Sequence, residues 1–175
     1  MAILQLITAP DPILKKRAEP VGMVNDSVRT MMDDMIETMY HDRGIGLAAN
    51  QVGFLKRIVV IDLQDNDDTK RVENFYPLFM ANPQIIDCSK EMIKDTEGCL
   101  SVPGQKIDVL RHLSIKVRYL DYHNKEQHLE PTNWLARTIQ HEIDHLNGKL
   151  LLDYLSGLKR NVALRKLIKI QKKPA

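Results

Sequence analysis

His141 and His145 stand four residues apart, with Glu142 beside the first, in the run His141-Glu142-Ile143-Asp144-His145. This H-E-x-x-H spacing constrains the chain more than any other feature, because it has chemical meaning only on an α-helix. There, residues four apart lie one turn apart on the same face, so both imidazoles can reach one metal ion. The glutamate next to the first ligand then lies beside a water on that metal, where a carboxylate can accept a proton. The flanking residues predict the helix. Pro131-Thr132-Asn133 is a start signal, a proline followed by two residues that cap well. Leu135, Ile139, Ile143 and Leu146 recur at three- and four-residue spacing, an apolar stripe for burial. Gly148 fits the position just past the last turn, where a left-handed backbone costs glycine little. The bland alternative is a pair of solvated histidines on an exposed helix, and the apolar stripe argues against it.

A catalytic metal site of this kind takes three protein ligands and keeps one position open. Beyond His145 the chain has no histidine and no glutamate, and Asp153 is the only acid. Leu151 stands where the longer H-E-x-x-H-x-x-G-x-x-H pattern would place a third histidine. The third ligand is therefore expected upstream. Cys99 is the best candidate: it lies between Gly98 and a loop closed by Pro103-Gly104. A thiolate with two imidazoles suits zinc or ferrous iron. The competing reading makes it a buried apolar filler, as most free cysteines are, and Cys88 takes that reading. His41, His112, His123 and His128 are rivals by residue type.

With 175 residues, 43% hydrophobic and 27% charged, the chain reads as a single folded catalytic domain over residues 1–175. No apolar run approaches the roughly 18 residues of a membrane span. The apolar opening from Met1 to Ile7 has no basic segment before it and meets Asp11 soon after, unlike a signal or transit peptide. A cytoplasmic protein is expected, with no membrane association and no specific DNA binding. Two cysteines are too few for a secreted disulfide framework. The net charge of +2 hides an asymmetry, because seven basic residues and no acid lie from Lys159 onward. The rest holds 18 basic against 23 acidic residues, a net of −5. Residues 154–175 are expected to form an amphipathic basic C-terminal helix, with Leu158, Val162, Leu164, Leu167, Ile168 and Ile170 as its apolar residues. A basic segment on an acidic body suggests a polyanionic partner.

Asn25-Asp26-Ser27 caps a helix running to about His41, with Val28, Met32, Met35, Ile36 and Met39 on one face for the core. The stretch Gly44–Gly53 is rich in small residues that allow close backbone approach, but its spacing is not that of a phosphate loop. Arg57–Leu63 is a strand whose β-branched run predicts burial on both faces. Gln64–Asn74 is a polar, acidic loop. Further strands are expected around Leu78–Ala81, at Ile85–Ile86, at Glu91–Lys94, over His112–Tyr122 and around Gln127–Leu129. The order gives an α+β fold: antiparallel sheets packed around a central metal-binding helix, with an N-terminal and a C-terminal helix.

Three stretches together carry a resemblance. Gly44-Ile45-Gly46-Leu47-Ala48-Ala49-Asn50-Gln51, Glu97-Gly98-Cys99-Leu100-Ser101 and Gln140-His141-Glu142-Ile143-Asp144-His145 resemble the three signature motifs of the peptide deformylase family, in the family's order. The likeness covers nearly the whole chain. It implies an enzyme that removes the formyl group from N-formylmethionyl nascent polypeptides and releases formate. It also implies one divalent metal ion, Fe2+ foremost with Zn2+, Ni2+ or Co2+ as substitutes, on Cys99, His141 and His145. Glu142 would be general base and acid, while the Gln51 amide and the Leu100 backbone N–H would polarise the formyl oxygen. Gly46 would hydrogen-bond the substrate backbone, with Ile45, Glu97, Gly98, Arg137 and Thr138 around the methionine side chain. A ribosome contact through the C-terminal helix would follow as well. Lys106 departs from the arginine that many members carry there, and Trp134 and Arg137 make the pocket rim bulkier and more polar. Two rivals remain in view: an H-E-x-x-H metallopeptidase cleaving internal peptide bonds, and a metal-bearing adaptor without catalysis.

Overall fold

The strand Ile58–Ile61 (β2) shows how the layers assemble, because all four of its side chains are buried. Val59 and Ile61 enter one cluster with Met80, Val117, Ile139, Ile143 and Leu146. Ile58 and Val60 enter another with Met32, Met35, Ile36, Met39 and Leu47. The computed structural model, which describes residues 1–64 and 75–172, thus has a sheet covered on both faces. One cover is α1 (Asp26–His41) and the other is α2 (Asn133–Leu146). The methionine face of α1 is core, with Met32, Met35 and Met39 fully buried. Asn25 caps that helix as expected, accepting from the Val28 N–H at 3.0 Å.

The main sheet has five strands in the order β1 (Gly46–Ala48), β2, β3 (Leu78–Cys88), β6 (Ile115–Leu120) and β7 (Glu126–Leu129), all paired antiparallel. A separate two-stranded sheet joins β4 (Met92–Glu97) to β5 (Ile107–His112). This is the α+β arrangement expected, with α2 packed between the sheets.

Several boundaries differ. The two short strands expected near Leu78 and Ile85 are one strand bent at Asn82. That residue adopts φ 51°, and its side-chain amide trades hydrogen bonds with the backbone of Val21 at 2.8 Å each way. The run expected over His112–Tyr122 is divided: His112 ends β5, and β6 begins at Ile115. The Gly44–Gly53 stretch supplies β1 and a 3-10 turn, Ala49–Val52. Beyond Gln64, the expected acidic loop lies outside the described residues. Cys88 is exposed at the end of β3 and is not a core filler.

The helix α3 runs Gly157–Gln171 with Ser156 as its cap. It starts later than residue 154 because Leu151–Tyr154 forms a separate 3-10 turn. Its buried stripe is also narrower than the sequence suggests: Ala163 and Leu167 are buried, while Leu158, Val162, Ile168 and Ile170 stay exposed. Ala163 and Leu167 pack with Leu14, Val102, Val109 and Leu151.

Helix α2 begins and ends by different means. Thr132 sits at the cap position, but its hydroxyl makes no capping hydrogen bond. Backbone bonds to the β5–β6 corner hold the entry instead, from Asn133 N–H to the Leu113 carbonyl at 2.9 Å and from Ile115 N–H to the Pro131 carbonyl at 3.2 Å. Gly148, just past the last turn, has φ 73°, and a Cβ there would collide with the backbone carbonyl of Lys15. Left-handed strain plus that clash predict that Gly148→Ala lowers unfolding free energy by at least about 2 kcal/mol. Urea unfolding measures it, and an unchanged midpoint would contradict the tight contact.

Candidate metal centre and substrate cleft

His141 and His145 lie one turn apart on α2, and their Nε2 atoms are 3.2 Å from each other. Cys99, in the loop after β4, brings its Sγ to 3.3 Å from His145 Nε2. The three donor atoms all lie within 4.8 Å of one another, and among the described residues they are the one such grouping of histidine, cysteine or acidic side chains. A tetrahedral ion with bonds of about 2.0–2.3 Å has ligand–ligand edges of roughly 3.3–3.7 Å. The donor set therefore fits a single divalent ion with small adjustment. The rival histidines are placed otherwise: His112 Nδ1 meets the Ser89 carbonyl, His41 meets Asp42 and His128 meets Glu126.

Behind the histidines stands Glu97, at the end of β4 and only 5% exposed. Its Oε2 lies 2.9 Å from His141 Nδ1. Donation from Nδ1–H fixes the ring's orientation, and Nε2 gains a lone pair for a metal on losing its own proton. Without an ion, burial is outweighed by hydrogen bonds with Cys99 and Glu97, which hold His141 well above the usual histidine range. Arg111 grips the same carboxylate in bidentate fashion at 2.8 and 2.9 Å, and Arg137 adds a contact at 2.7 Å. Burial alone would raise the Glu97 pKa, but the hydrogen bonds from Arg111 and His141 outweigh it and hold the carboxyl at about 2. Burial and the neighbouring charges of His141 and Arg111 keep His145 well below the usual histidine range, in its neutral ligating form.

Arg111 does not appear among the residues singled out in the sequence, although β5 carries a signal. Ile107, Val109 and Arg111 alternate inward on that strand, so the arginine occupies a core-facing position where only a paired charge is tolerable. Arg137 lines the cleft as expected. Its guanidinium, however, is held by protein, through Glu97, the Val109 carbonyl at 3.0 Å and the Ile93 carbonyl at 2.6 Å.

The cleft that reaches Cys99 and His141 has a volume of about 850 Å³. Ile45, Gly46, Gln51, Glu97, Gly98, Leu100, Arg137, Thr138 and Glu142 all line it, as do Trp134 and Lys106. Glu142 is 3% exposed, and among the described residues its Oε2 has no hydrogen-bond partner. Burial pushes its carboxyl up to about 7, against the downward pull of His141. Gly46 faces it so closely that a Cβ there would strike the carboxylate. Gln51 is pinned at both ends: its Oε1 accepts from the Ala48 N–H at 2.9 Å, and its Nε2 donates to Ser101 Oγ at 3.1 Å. The remaining hydrogen on Nε2 faces the Cys99 sulfur, 3.7 Å away. The Thr138 hydroxyl donates to the Trp134 carbonyl at 2.8 Å. Lys106 lays its ammonium over Gly98, where a Cβ would come within 2.9 Å of Nζ.

A cysteine sulfur and two imidazoles around one focus, with a buried carboxylate beside it and an open cleft above, define the site of a metal-dependent hydrolase. Known proteins agree. The family model described as polypeptide deformylase matches residues 3–161. A peptide deformylase of Rickettsia akari is 59% identical over 171 residues, covering 98% of each chain. One from Orientia tsutsugamushi (strain Ikeda) is 56% identical over 175 residues, covering 98% of this chain and 97% of the relative. The crystal structure of peptide deformylase from Ehrlichia chaffeensis superposes with a TM-score of 0.90 at 42% identity, covering 99% of both chains. Its complex with actinonin gives 0.92 at 43% identity, covering 99% of this chain and 100% of that one. The chain belongs to the peptide deformylase family, metal-dependent hydrolases that remove the N-formyl group from nascent peptides. The internal-peptidase reading loses to that whole-length match.

Glu97→Gln removes the charge that faces Arg111, Arg137 and His141. Outer partners of metal-bound histidines typically contribute 10- to 100-fold to metal affinity. A loss of about that size is expected in a chelator competition, together with a lower unfolding midpoint. Wild-type affinity in the variant would show that Glu97 does not orient His141.

Proposed function

We propose that this chain deformylates N-formylmethionyl nascent polypeptides in the cytoplasm, acting as one catalytic domain over residues 1–175 with a single ferrous ion on Cys99, His141 and His145. The observation that carries the reading is the convergence of Cys99 Sγ with the two histidine Nε2 atoms beside the buried carboxylate of Glu142. A thiolate with two imidazoles suits ferrous iron, and zinc, nickel or cobalt can take the same donors.

Held there, a divalent ion would supply the Lewis acidity that makes water a nucleophile near neutral pH. Glu142 takes the proton that this water loses as a carbon–oxygen bond forms at the formyl carbon. Charge gathers on the formyl oxygen, where the Gln51 side-chain amide and the Leu100 backbone N–H donate to it. The carbon–nitrogen bond then breaks, and Glu142 passes its proton to the departing nitrogen. Formate and a peptide with a free α-amine leave. Gly46 keeps the wall beside Glu142 thin enough for the substrate backbone to approach, and its own backbone pairs with that backbone. Ile45, Glu97, Gly98, Arg137 and Thr138 surround the methionine side chain. Lys106 takes the substrate-side place of the family's arginine as a point charge without its planar fork.

The test is formate release from a formyl-Met tripeptide by protein purified without oxygen and analysed for metal. Glu142→Gln should retain the metal and lose at least about a hundredfold in kcat. Cleavage of casein without formate release would refute the proposal.

The basic outer face of α3 supports a ribosome contact, since Lys159, Arg160, Arg165, Lys166 and Lys169 are all exposed. Reversing Arg165, Lys166 and Lys169 to glutamate should abolish co-sedimentation with ribosomes at low salt and leave tripeptide turnover unchanged. Sedimentation equal to wild type would rule the contact out.

A further inference from the structure

Asp144 sits inside the H-E-x-x-H run but points away from the donor atoms, and nothing said so far gives it a task. Its Oδ2 accepts from Arg111 Nη1 at 2.6 Å and from the hydroxyl of Tyr154. The same Arg111 Nη1 also donates to the Tyr154 oxygen at 2.9 Å. Both hydrogens on Nη1 are thereby used, and the other side of the guanidinium holds Glu97 through Nε and Nη2. Five groups therefore form one unbroken line, from Tyr154 through Asp144, Arg111 and Glu97 to His141 Nδ1. Each member fixes the rotation of the next, and Arg111 is only 4% exposed. Two arginines, Arg111 and Arg137, face two carboxylates, Glu97 and Asp144. With Arg137 counted beside the line, these charges cancel when Tyr154 is neutral, and burial and Asp144 both push the Tyr154 hydroxyl above its ordinary pKa.

The far end of the line is anchored in a different part of the chain. Tyr154 closes the 3-10 turn Leu151–Tyr154, and Asp153 clamps that turn by accepting from the Leu150 N–H at 2.8 Å and pairing with Lys15. The Arg111 guanidinium lies 5.1 Å from the Tyr154 ring centre, and Lys149 Nζ lies 3.8 Å from it. The ring is thus held by packing and its hydroxyl by hydrogen bonds. Removing the hydroxyl alone leaves the packing in place but takes one donor from Asp144 and one acceptor from Arg111. The guanidinium then keeps Glu97 and Asp144 but loses the third oxygen that fixes its Nη1 side.

We propose that Tyr154 is a positioning residue for the metal centre: through Asp144, Arg111 and Glu97 it sets the orientation of the His141 imidazole. The inference rests on the metal-dependent reading of the same site. The order of the line predicts how its parts respond. Breaking it at Tyr154 or at Asp144 should have similar consequences, and breaking it at both should add little, because links in one series are not independent. The effect should fall on metal retention more than on the fold, since Tyr154→Phe deletes no buried apolar surface.

The experiment uses the full chain stripped of metal, titrated with Zn2+ against a chromophoric chelator, with thermal unfolding of the metal-free protein measured alongside. Tyr154→Phe and Asp144→Asn should each weaken zinc binding by about tenfold, and the double variant should be no more than about twofold worse than the weaker single. The metal-free unfolding midpoint of Tyr154→Phe should stay close to wild type. Lys149→Ala, which removes the cation over the ring and spares the line, should bind zinc like wild type. Zinc affinities of Tyr154→Phe within twofold of wild type would overturn the proposal, as would an equal loss in Lys149→Ala. If Tyr154→Phe does not fold, the same outcomes are read from Asp144→Asn. Variants unchanged in a zinc-binding wild type refute this inference alone, whereas a wild type that binds no zinc refutes the metal-dependent reading with it.

Discussion

A buried carboxylate is expensive unless cations surround it, and the pairing of Glu97 with Arg111 is the interaction on which this site depends. The acid ends β4, the arginine lies near the end of β5, and both reach across to α2 through His141, Arg137 and Asp144. One charged cluster thereby sets the distance between the two-stranded sheet and the helix. It also sets which way His141 turns, and Cys99, two residues beyond Glu97, is delivered to the histidines by the same strand end.

The opposite side of the helix is held by ordinary burial. Ala136, Ile139, Ile143 and Leu146 pack on the inner face of the five-stranded sheet, whose other face carries the methionines of α1. Between these two holds, α2 is braced by buried polar side chains that act on backbone. Gln140 accepts from the His112 N–H and donates to its carbonyl, continuing the edge of β5 onto the helix. Asn50 donates to the His145 carbonyl and Arg57 to the Leu146 carbonyl, so the last turn is gripped from the loop after β1. A helix held on all sides keeps its metal donors in place before any ion arrives, which is what preorganisation requires.

The catalytic neighbourhood follows from the same frame. Gln51 is locked by Ala48 and Ser101 and turns its second amide hydrogen toward the sulfur of Cys99. Glu142 shares a helix with both histidines yet is buried beside Gly46, so its proton affinity rises toward neutrality. Two carboxylates a few residues apart in space are thus driven in opposite directions: Glu97 downward by its cations and Glu142 upward by burial.

Much of this was written in local patterns. The spacing of His141, Glu142 and His145, the stripe Ile139-Ile143-Leu146, the left-handed place of Gly148 and the two-faced burial of Ile58–Ile61 are each consequences of helix or strand periodicity acting on near neighbours. The absence of a ligand after His145 pointed upstream, where Cys99, between Gly98 and the loop closed by Pro103-Gly104, was the best of several candidates. Tertiary structure alone decided the rest, because long-range pairings have no local signature. It brought Arg111 to Glu97, joined Tyr154 to Asp144 and left Leu158 and Val162 of α3 exposed. It likewise moved the start of α2 from a side-chain cap to backbone bonds with the β5–β6 corner. A repeat of 3.6 or 2 residues says which face is buried, but only the folded chain says what a buried charge will meet there.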